Sequence, residues 1–336
     1  MLIGNGTRRQ IVRGGLATGT ALALGGPALA QSARRVTIAN AAGNINLVMQ
    51  ELMKQQKYLE EFGLEPNVMN VADGSKMMGG ILGGDIDCST MSGFGQIFPA
   101  IERGGKLKVL AGASLLPTLA VFTSKPEVKT LKDLEGRAVG TGSLGALVHQ
   151  LMVALLRKKG VDVSKVRFVN IGSSPDVFRA AIVGTIDAGS GEVAVIDQAG
   201  KFKVRFIPES NLAIELPEYT YQGAWASERA IETKRDLLTR TLAAYAKLYR
   251  FVHKPEARES FHKAYLAVLK NGSAEDAEAM WNFVQTYKPY AENLVLEPER
   301  LRFMQQLNVD LEVQKTVLPY ERVADTSVAR DALKLL

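Results

Sequence analysis

The sequence predicts an α/β protein made of two similar lobes, with a hinge between them and a helical C-terminal tail. Three observations predict this fold class. Short apolar strands alternate with helices through the first two thirds of the chain, which is typical of parallel sheets covered on both faces. The segment Gly-x-Ile-Asp occurs twice, at residues 84–87 and 184–187. From Glu228 onward the pattern is helical.

The first lobe is predicted to begin with two strand and helix pairs. A short strand at residues 36–39 precedes a helix from about residue 45 to residue 59. A second strand at residues 65–71 then leads into a short helix. The connections are brief, so the strands are expected to run parallel.

One supersecondary plan occurs twice in the chain. After the shared Gly-x-Ile-Asp, the sequence GKLKV at residues 105–109 is answered by GKFKV at residues 200–204. The interval between the two matches is five residues shorter in the second copy. Two matches in the same order predict two lobes rather than one continuous sheet.

Two strand-like runs, at residues 119–123 and 219–226, are predicted to connect the lobes. Two connecting strands form a hinge, with a cleft between the carboxyl ends of both sheets. In the tail, apolar residues recur every three or four positions between residues 238 and 252. This spacing indicates a helix face packed on the first lobe.

The most informative segment runs from residue 131 to residue 160. A strand at residues 138–141 leads through Gly142 into a helix that Ser143 is predicted to cap. Leu144 is placed on the inward face of this helix. Free amides of a first helical turn beside a glycine bind carboxylate, sulfonate, phosphate or another acceptor-rich group. The same arrangement is also a common connection between a strand and a helix in α/β proteins, with no ligand involved.

Gly140, Gly142 and Gly145 satisfy the dinucleotide pattern Gly-x-Gly-x-x-Gly. A dinucleotide fold places an acidic residue at the end of the next strand, where it binds the ribose. The predicted strand at residues 166–169 is followed by Asn170 instead. The pattern therefore fails at its most diagnostic position.

No motif for catalysis, a cofactor or a metal occurs in the sequence. His149, His253 and His262 lack metal-ligand spacing and are assigned structural or surface roles. The nucleophile elbow, zinc-protease and P-loop patterns are absent. Cys88 is the single cysteine, which excludes an internal disulfide and a cysteine-based zinc site. We expect a binding protein without a cofactor rather than an enzyme.

The first 30 residues have the layout of an export signal. The paired arginines Arg8 and Arg9 precede a weakly apolar run that ends in Ala28-Leu29-Ala30. Adjacent arginines with mild hydrophobicity favour a Tat signal over a Sec signal, and both lead to the periplasm. Cleavage after Ala30 removes three arginines and no acid, so the net charge falls from +6 to +3. The remaining basic residues are dispersed, which argues against nucleic-acid binding.

Taken in order, these segments resemble the periplasmic solute-binding proteins of ABC importers. The features that carry the resemblance are the export signal, the Leu-x-x-Leu-x-Gly segment at residues 131–136, the Gly142-Ser143 helix start, the repeated Gly-x-Ile-Asp and the helical tail. The resemblance covers about residues 35–270 and points to the branch that binds nitrate, taurine, aliphatic sulfonates and thiamine pyrimidines. It implies a type II periplasmic-binding-protein fold with two Rossmann-like lobes.

The resemblance also implies boundaries and partners. Residues 34–117 and 222–336 would form the first lobe, and residues 118–221 the second. A monomer would bind a small molecule and deliver it to an inner-membrane ABC permease. The ligand contacts that the resemblance implies are Asn44, Asn46, Met91, Ser92, Phe94, Gly142, Ser143 and Glu192. Two aromatic residues near the second connection, Tyr221 and Trp225, are added as candidates for stacking on a ring.

The sequence departs from a simple anion binder, because no arginine lies in the predicted loops and Glu192 would repel an acid. An uncharged or amine-bearing heterocycle, or a mixed ligand, therefore competes with a sulfonate or nitrate. Three alternative functions remain at this point: an exported cofactor-carrying enzyme, an enzyme like thiamine-pyrimidine synthase, and a ligand-binding partner of a membrane sensor. The synthase carries a cysteine-rich segment that this chain lacks.

Overall fold

The computed structural model describes residues 34–336, so the expected export signal and its cleavage site lie outside the described residues. Within this range no helix has the length and apolar composition needed to span a bilayer. The strands are β1 (Arg34–Ala41), β2 (Leu64–Val71), β3 (Ser89–Ser92), β4 (Leu107–Gly112), β5 (Leu119–Thr123), β6 (Ala138–Thr141), β7 (Arg167–Asn170), β8 (Ala188–Glu192), β9 (Arg205–Phe206) and β10 (Gly223–Ser227).

Helices cover both sheets and form the tail. They are α1 (Asn44–Gln56), α2 (Tyr58–Glu61), α3 (Gly74–Gly83), α4 (Ile97–Glu102), α5 (Leu147–Lys158), α6 (Ser174–Ile182), α7 (Leu212–Glu215), α8 (Glu228–Thr233), α9 (Arg235–Val252), α10 (Arg258–Val268), α11 (Ala274–Tyr287), α12 (Pro298–Asp310), α13 (Tyr320–Val323) and α14 (Ser327–Leu333). Short 3-10 helices lie at Leu131–Leu134, Val163–Lys165, Val193–Phe202 and Pro255–Ala257.

Two sheets, β2-β1 and β3-β10-β4, are joined edge to edge by one bridge, and together we call them the first sheet, in the order β2-β1-β3-β10-β4. β1 pairs in parallel with β2 along its whole length, from Arg34 opposite Leu64 onward. β10 runs antiparallel between β3 and β4. A parallel bridge between Ile38 and Cys88 joins β1 to the segment that leads into β3.

The second sheet repeats this order as β7-β6-β8-β5-β9. β6 pairs in parallel with both β7 and β8, and β5 runs antiparallel between β8 and β9. The two sheets therefore match strand for strand in order and direction. The duplicated plan predicted from Gly-x-Ile-Asp is confirmed.

The repeated glycine ends a helix in both copies. Gly84 follows α3 with a φ of 90°, and Gly184 follows α6 with a φ of 72°. Side chains other than glycine rarely adopt this left-handed conformation, so the turn requires glycine. The next apolar residues, Ile86 and Ile186, are buried beneath the turns.

The chain passes between the two sheets through residues 113–118 and 216–222. These segments are hydrogen bonded to each other: the Ala113 amide donates to the Gln222 carbonyl at 3.0 Å, and the Gln222 amide donates to the Ser114 carbonyl at 2.9 Å. The strand predicted at residues 219–226 is shorter, because β10 begins only at Gly223. Residues 219–222 of the predicted strand belong instead to the segment that connects the two sheets.

The tail packs mainly on the first sheet, as the helical spacing predicted. α9 buries Leu238, Leu242 and Tyr245 in the same core cluster as β1 and α1. α12 also reaches the helix that follows β6, since Gln150 Nε2 donates to Asn308 Oδ1 and Arg157 Nη2 donates to the Asp310 carbonyl at 3.0 Å. The tail thus contacts elements of both sheets.

Two predicted helix boundaries are wrong. The first helix ends at Gln56, because Lys57 adopts a left-handed conformation and a separate short helix follows. The helix after β6 begins at Leu147 with Ala146 as its N-cap, so Ser143 does not cap it. Residues 142–146 form a turn in which the Ala146 amide donates to the Ser143 carbonyl at 2.9 Å. Leu144, predicted to face inward, is 71% exposed.

Candidate ligand-binding cleft

A cavity of about 240 Å³ lies where the carboxyl ends of the parallel strands of both sheets face each other. Its walls come from the turns that follow β1, β2 and β3 in the first sheet, and β6, β7 and β8 in the second. The connecting segment before β10 closes one side. The polar side chains on its lining are those of Asn46, Asp73, Ser92, Gln96, Ser143, Asn170, Ser173, Ser174, Glu192, Tyr221 and Gln222.

The structure brings most of the predicted site residues together. Those that line the cavity are Asn46, Ser92, Gly142, Ser143, Glu192 and Tyr221. Asn44 lies beside a neighbouring cavity that also contains Glu192. Met91, Phe94 and Trp225 are fully buried among other core residues and do not line the cavity.

Asn46 is held in one orientation by the backbone around it. Its Nδ2 donates to the Ala41 carbonyl at 2.8 Å and to the Met91 carbonyl at 3.2 Å. The side chain is buried, and Oδ1 has no hydrogen-bond partner among the described residues. Asn46 therefore lines the cavity with a side chain whose oxygen is an unsatisfied acceptor.

Ser92 is positioned by Trp225 rather than by the cavity. Trp225 Nε1 donates to Ser92 Oγ at 2.8 Å, and Ser89 Oγ lies 2.5 Å from the same atom. A buried indole N–H needs an acceptor, and Ser92 supplies it. Trp225 thus stabilises the wall of the cleft from behind and is not free to stack on a ligand.

The turn that carries Gly142 and Ser143 is fixed by His149. The Gly145 amide donates to His149 Nδ1 at 3.0 Å, and the imidazole packs edge-on against Phe168 with ring centroids 4.8 Å apart. Burial lowers the pKa of His149, which keeps the ring neutral and Nδ1 able to accept. Ser143 Oγ is left facing the cavity, with only a long contact of 3.4 Å to Asn170 Nδ2.

Glu192 ends β8 and lies between the lining of the cleft and a group of tyrosines. Burial raises the pKa of Glu192 from its usual 4.5 to about 7. The nearby Thr118 hydroxyl lowers this pKa, although Thr118 Oγ1 makes no hydrogen bond of normal geometry with the described residues. Burial raises the pKa of the Tyr221 phenol, and the charge of Glu192 raises it further by a smaller amount. Burial and the charge of Glu192 also raise the pKa of Tyr290, whose hydroxyl is buried without a hydrogen-bond partner among the described residues.

Sequence reasoning missed several residues that line the cavity. Asp73 follows β2 and caps α3, accepting from the Ser75 amide at 2.8 Å. Ser173 follows β7 and forms a capping box with Asp176 at the start of α6. Both lie at equivalent places in the duplicated plan, so the repeat itself was the signal that could have found them. Gln222 lies in the connecting segment and is 2% exposed, with Oε1 unpaired.

Comparisons with known proteins match this chain to one family model and to the fold of periplasmic binding proteins. A family model described as NMT1/THI5 like matches residues 50–258. A solved structure from Bordetella bronchiseptica RB50 is 18% identical with a TM-score of 0.74, covering 90% of this chain and 97% of that one. The periplasmic aliphatic sulphonate binding protein SsuA of Escherichia coli is 16% identical with a TM-score of 0.67, covering 87% and 92%.

One enzyme shares the same fold. The desulfurization enzyme DSZB is 15% identical with a TM-score of 0.63, covering 90% of this chain and 99% of that one. No curated relative matches the sequence. The structural likenesses establish the two-lobe fold of periplasmic binding proteins, which agrees with the strand order of the two sheets.

Proposed function

Because the chain belongs to the NMT1/THI5-like family, we propose that it is the solute-binding component of an ABC transporter. It captures a small organic or anionic solute between two lobes and delivers it to an inner-membrane permease. The observation that carries this proposal is the cavity itself, which lies between the carboxyl ends of two duplicated sheets joined by two connections. Open α/β sheets bind ligands at that edge.

The first lobe comprises residues 34–117 and 222–336, and the second comprises residues 118–221. All strands of the first sheet fall within the first set, and all strands of the second sheet fall within the second. The hydrogen-bonded connections around Ser114 and Gln222 form the hinge. A ligand that contacts both lobes favours the closed state by its differential affinity for that state, and this closed state is what a permease recognises.

Binding rather than catalysis fits the chemistry of the lining. The cleft contains no histidine or cysteine among its described lining residues. Cys88 is buried, and burial raises the pKa of its thiol, so it is not a reactive nucleophile. His149 and His253 are engaged in structural contacts. The protein acts as an exported monomer in the periplasm, without a cofactor.

A thermal-shift screen of the mature chain tests this function. The compounds are sulfonates, nitrate, carboxylates, aromatic acids, pyrimidines and amines. A ligand that binds the folded state raises the melting temperature with the logarithm of its concentration over Kd. Small-angle scattering should then show a smaller radius of gyration with that ligand. A ligand that stabilises the chain without compacting it would contradict closure between two lobes.

A further inference from the structure

Two residues that line the cleft carry buried acceptors that lack donors. Asn46 Oδ1 and Gln222 Oε1 are unpaired, and their residues are 1% and 2% exposed. Both nitrogen hydrogen bonds of Asn46 are made to backbone carbonyls, so its oxygen cannot exchange places with its nitrogen without losing them. A buried acceptor without a donor destabilises the empty protein, because the atom has lost its bond to water and gained none in return. The group that fills this cavity is therefore expected to supply N–H or O–H donors.

Positive charge is scarce on the same lining. No lysine, arginine or histidine belongs to the described residues that line the cavity, whereas Asp73 and Glu192 do. The N-termini of α3 and α6 point to this region, and each already carries a carboxylate, from Asp73 and Asp176 respectively. Those carboxylates offset the positive ends of the two helix dipoles.

Four helices begin at the lining, and two of them, α1 and α5, start without a side-chain cap. Their N-caps, Gly43 and Ala146, line the cavity, so the free amides of these first turns can satisfy acceptor groups of a ligand. A sulfonate also brings a full negative charge, and the described lining holds two carboxylates and no cation to balance it. The lining thus opposes a fully anionic head group.

A second cavity of about 500 Å³ adjoins the first, since Glu192 and Ser174 belong to both linings. Its walls are largely apolar and include Phe178, Phe202 and Met280. Arg179 and Lys270, which also line it, are exposed. A molecule whose polar head lies beside Glu192 can extend an apolar arm into this space.

Building on the proposed function, we infer that the ligand is an amphipathic amine, with a protonated amine or amidine head held by Asn46, Glu192 and Gln222 and an aromatic or aliphatic arm in the second cavity. The head supplies donors to the orphan acceptors and a positive charge to the carboxylate. The arm buries apolar surface against Phe178 and Met280, which adds affinity in proportion to the area removed from water.

Matched probes on the mature chain test this inference. Phenethylamine, benzamidine and tryptamine are compared by calorimetry with phenylethanesulfonate, benzoate and indole-3-acetate, and ethylamine serves as the probe without an arm. We expect the tightest binder to be cationic, and ethylamine to bind at least about tenfold more weakly than phenethylamine. Glu192→Gln should weaken the cationic probe by about tenfold or more, because a charge-assisted contact is lost. Glu218→Gln, an exposed acid outside the cleft, is the control.

The failures of the two proposals differ. If an anionic probe binds tightest and compacts the chain, the ligand class is overturned while the solute-binding function stands. If cationic probes bind equally well to the wild type and to Glu192→Gln, the assigned head-group site is overturned. If none of the probes binds, the ligand class is overturned, and the broader thermal-shift screen with scattering decides the function separately.

Discussion

Asp87 and Asp187 make the same hydrogen bond in two different sheets. Asp87 Oδ2 accepts from the Thr37 amide at 2.8 Å, and Asp187 Oδ2 accepts from the Ala138 amide at 2.8 Å. Their own amides donate back to the carbonyls of Thr37 and Ala138, at 2.9 Å and 2.8 Å. Asp87 therefore joins the segment before β3 to β1, and Asp187 joins the segment before β8 to β6.

Replacing either aspartate with alanine is expected to destabilise the protein. Asp87→Ala should lower the free energy of unfolding by about 2–3 kcal/mol, because a hydrogen bond to a charged acceptor is lost and a buried amide is left unpaired. Asp187→Ala should cost less, because the Asp187 side chain is 23% exposed against 8% for Asp87. Asp87 also has the shorter ion pair, 2.5 Å to Lys234 against 3.7 Å from Asp187 to Arg137. Urea denaturation measures both. Asp85→Ala, an exposed neighbour, should change stability little, and an equal loss there would contradict this role.

The duplicated architecture was predictable because the repeated residues have the same structural role in each copy. Gly84 and Gly184 end helices in the left-handed conformation, and the aspartates that follow bind the adjacent strand. Both copies contain the same turn and the same adjacent strand, so these requirements leave the same signature in both. The strands at residues 119–123 and 138–141 were also predicted to the residue, since each is a short apolar run bounded by polar or glycine residues.

The site was less predictable because it depends on which loops meet in space. Ser143 has the sequence context of a helix cap, but Gly145 adopts a φ of 78° and delays the helix to Leu147. Trp225 lies beside the hinge in sequence, yet its ring faces the core. Asp73 and Ser173 follow strands that lie next to those considered, and only the tertiary arrangement shows that their turns share one cavity.

Ser143→Ala should separate a ligand contact from a structural cap. Ser143 is not an N-cap, so its replacement should change the unfolding free energy by less than about 0.5 kcal/mol. The affinity for a ligand found by screening should fall by about 1 kcal/mol, the scale of one hydrogen bond. Calorimetry and thermal unfolding measure the two effects.

Ser227→Ala is the matched control for that experiment. Ser227 caps α8, accepting from the Ala230 amide at 3.2 Å, and does not line the cavity. Its loss should cost about 1 kcal/mol of stability and leave affinity unchanged. Ser143→Ala behaving like Ser227→Ala would remove Ser143 from the site.

Glu192 should make the empty protein less stable as pH rises. The pKa of Glu192 is raised from 4.5 to about 7 in the folded state, so between these values the folded state holds more protons than the unfolded state. The penalty of the buried charge is therefore absent below pH 4.5 and complete above pH 7, with an upper limit of about 3 kcal/mol. Glu192→Gln should remove this contribution. Equal changes of stability between pH 5 and pH 8 in the wild type and the variant would contradict it.

His149 should give a dependence of the opposite sign. Burial lowers the pKa of His149 below its usual 6.5, so the folded state resists protonation. Its stabilising contribution is complete above pH 6.5 and is lost as pH falls through the lowered value, when Nδ1 can no longer accept from the Gly145 amide. Ligand affinity should fall over the same range as the turn at residues 142–146 is released.

Two histidine variants separate this effect from general acid destabilisation. His149→Gln should flatten the acid dependence of both stability and affinity. His253→Gln should flatten only that of stability, because burial also lowers the pKa of His253, which contacts Glu292 away from the cleft lining. Unfolding experiments measure the stability of both variants at pH 5 and pH 7.5, and calorimetry measures their ligand affinity at the same pH values. An unchanged acid dependence of affinity in His149→Gln would contradict the role of His149 in holding the turn.

Gly93→Ala should hold the two lobes apart. Gly93 lies in the loop after β3 and lines the cleft, and a Cβ placed there would lie 2.9 Å from Leu147 Cβ, at the start of the helix after β6. Because this contact is too short, the loop of the first lobe and the helix of the second must separate. Ligand affinity should fall by about tenfold, and the radius of gyration of the ligand-bound protein should rise. Gly79→Ala is the control, since Gly79 lies in α3 of the first lobe, outside the described lining of the cleft, with nothing within 4 Å of a Cβ. Equal losses of affinity in both variants, with no difference in scattering, would show that Gly93 does not govern the approach of the lobes.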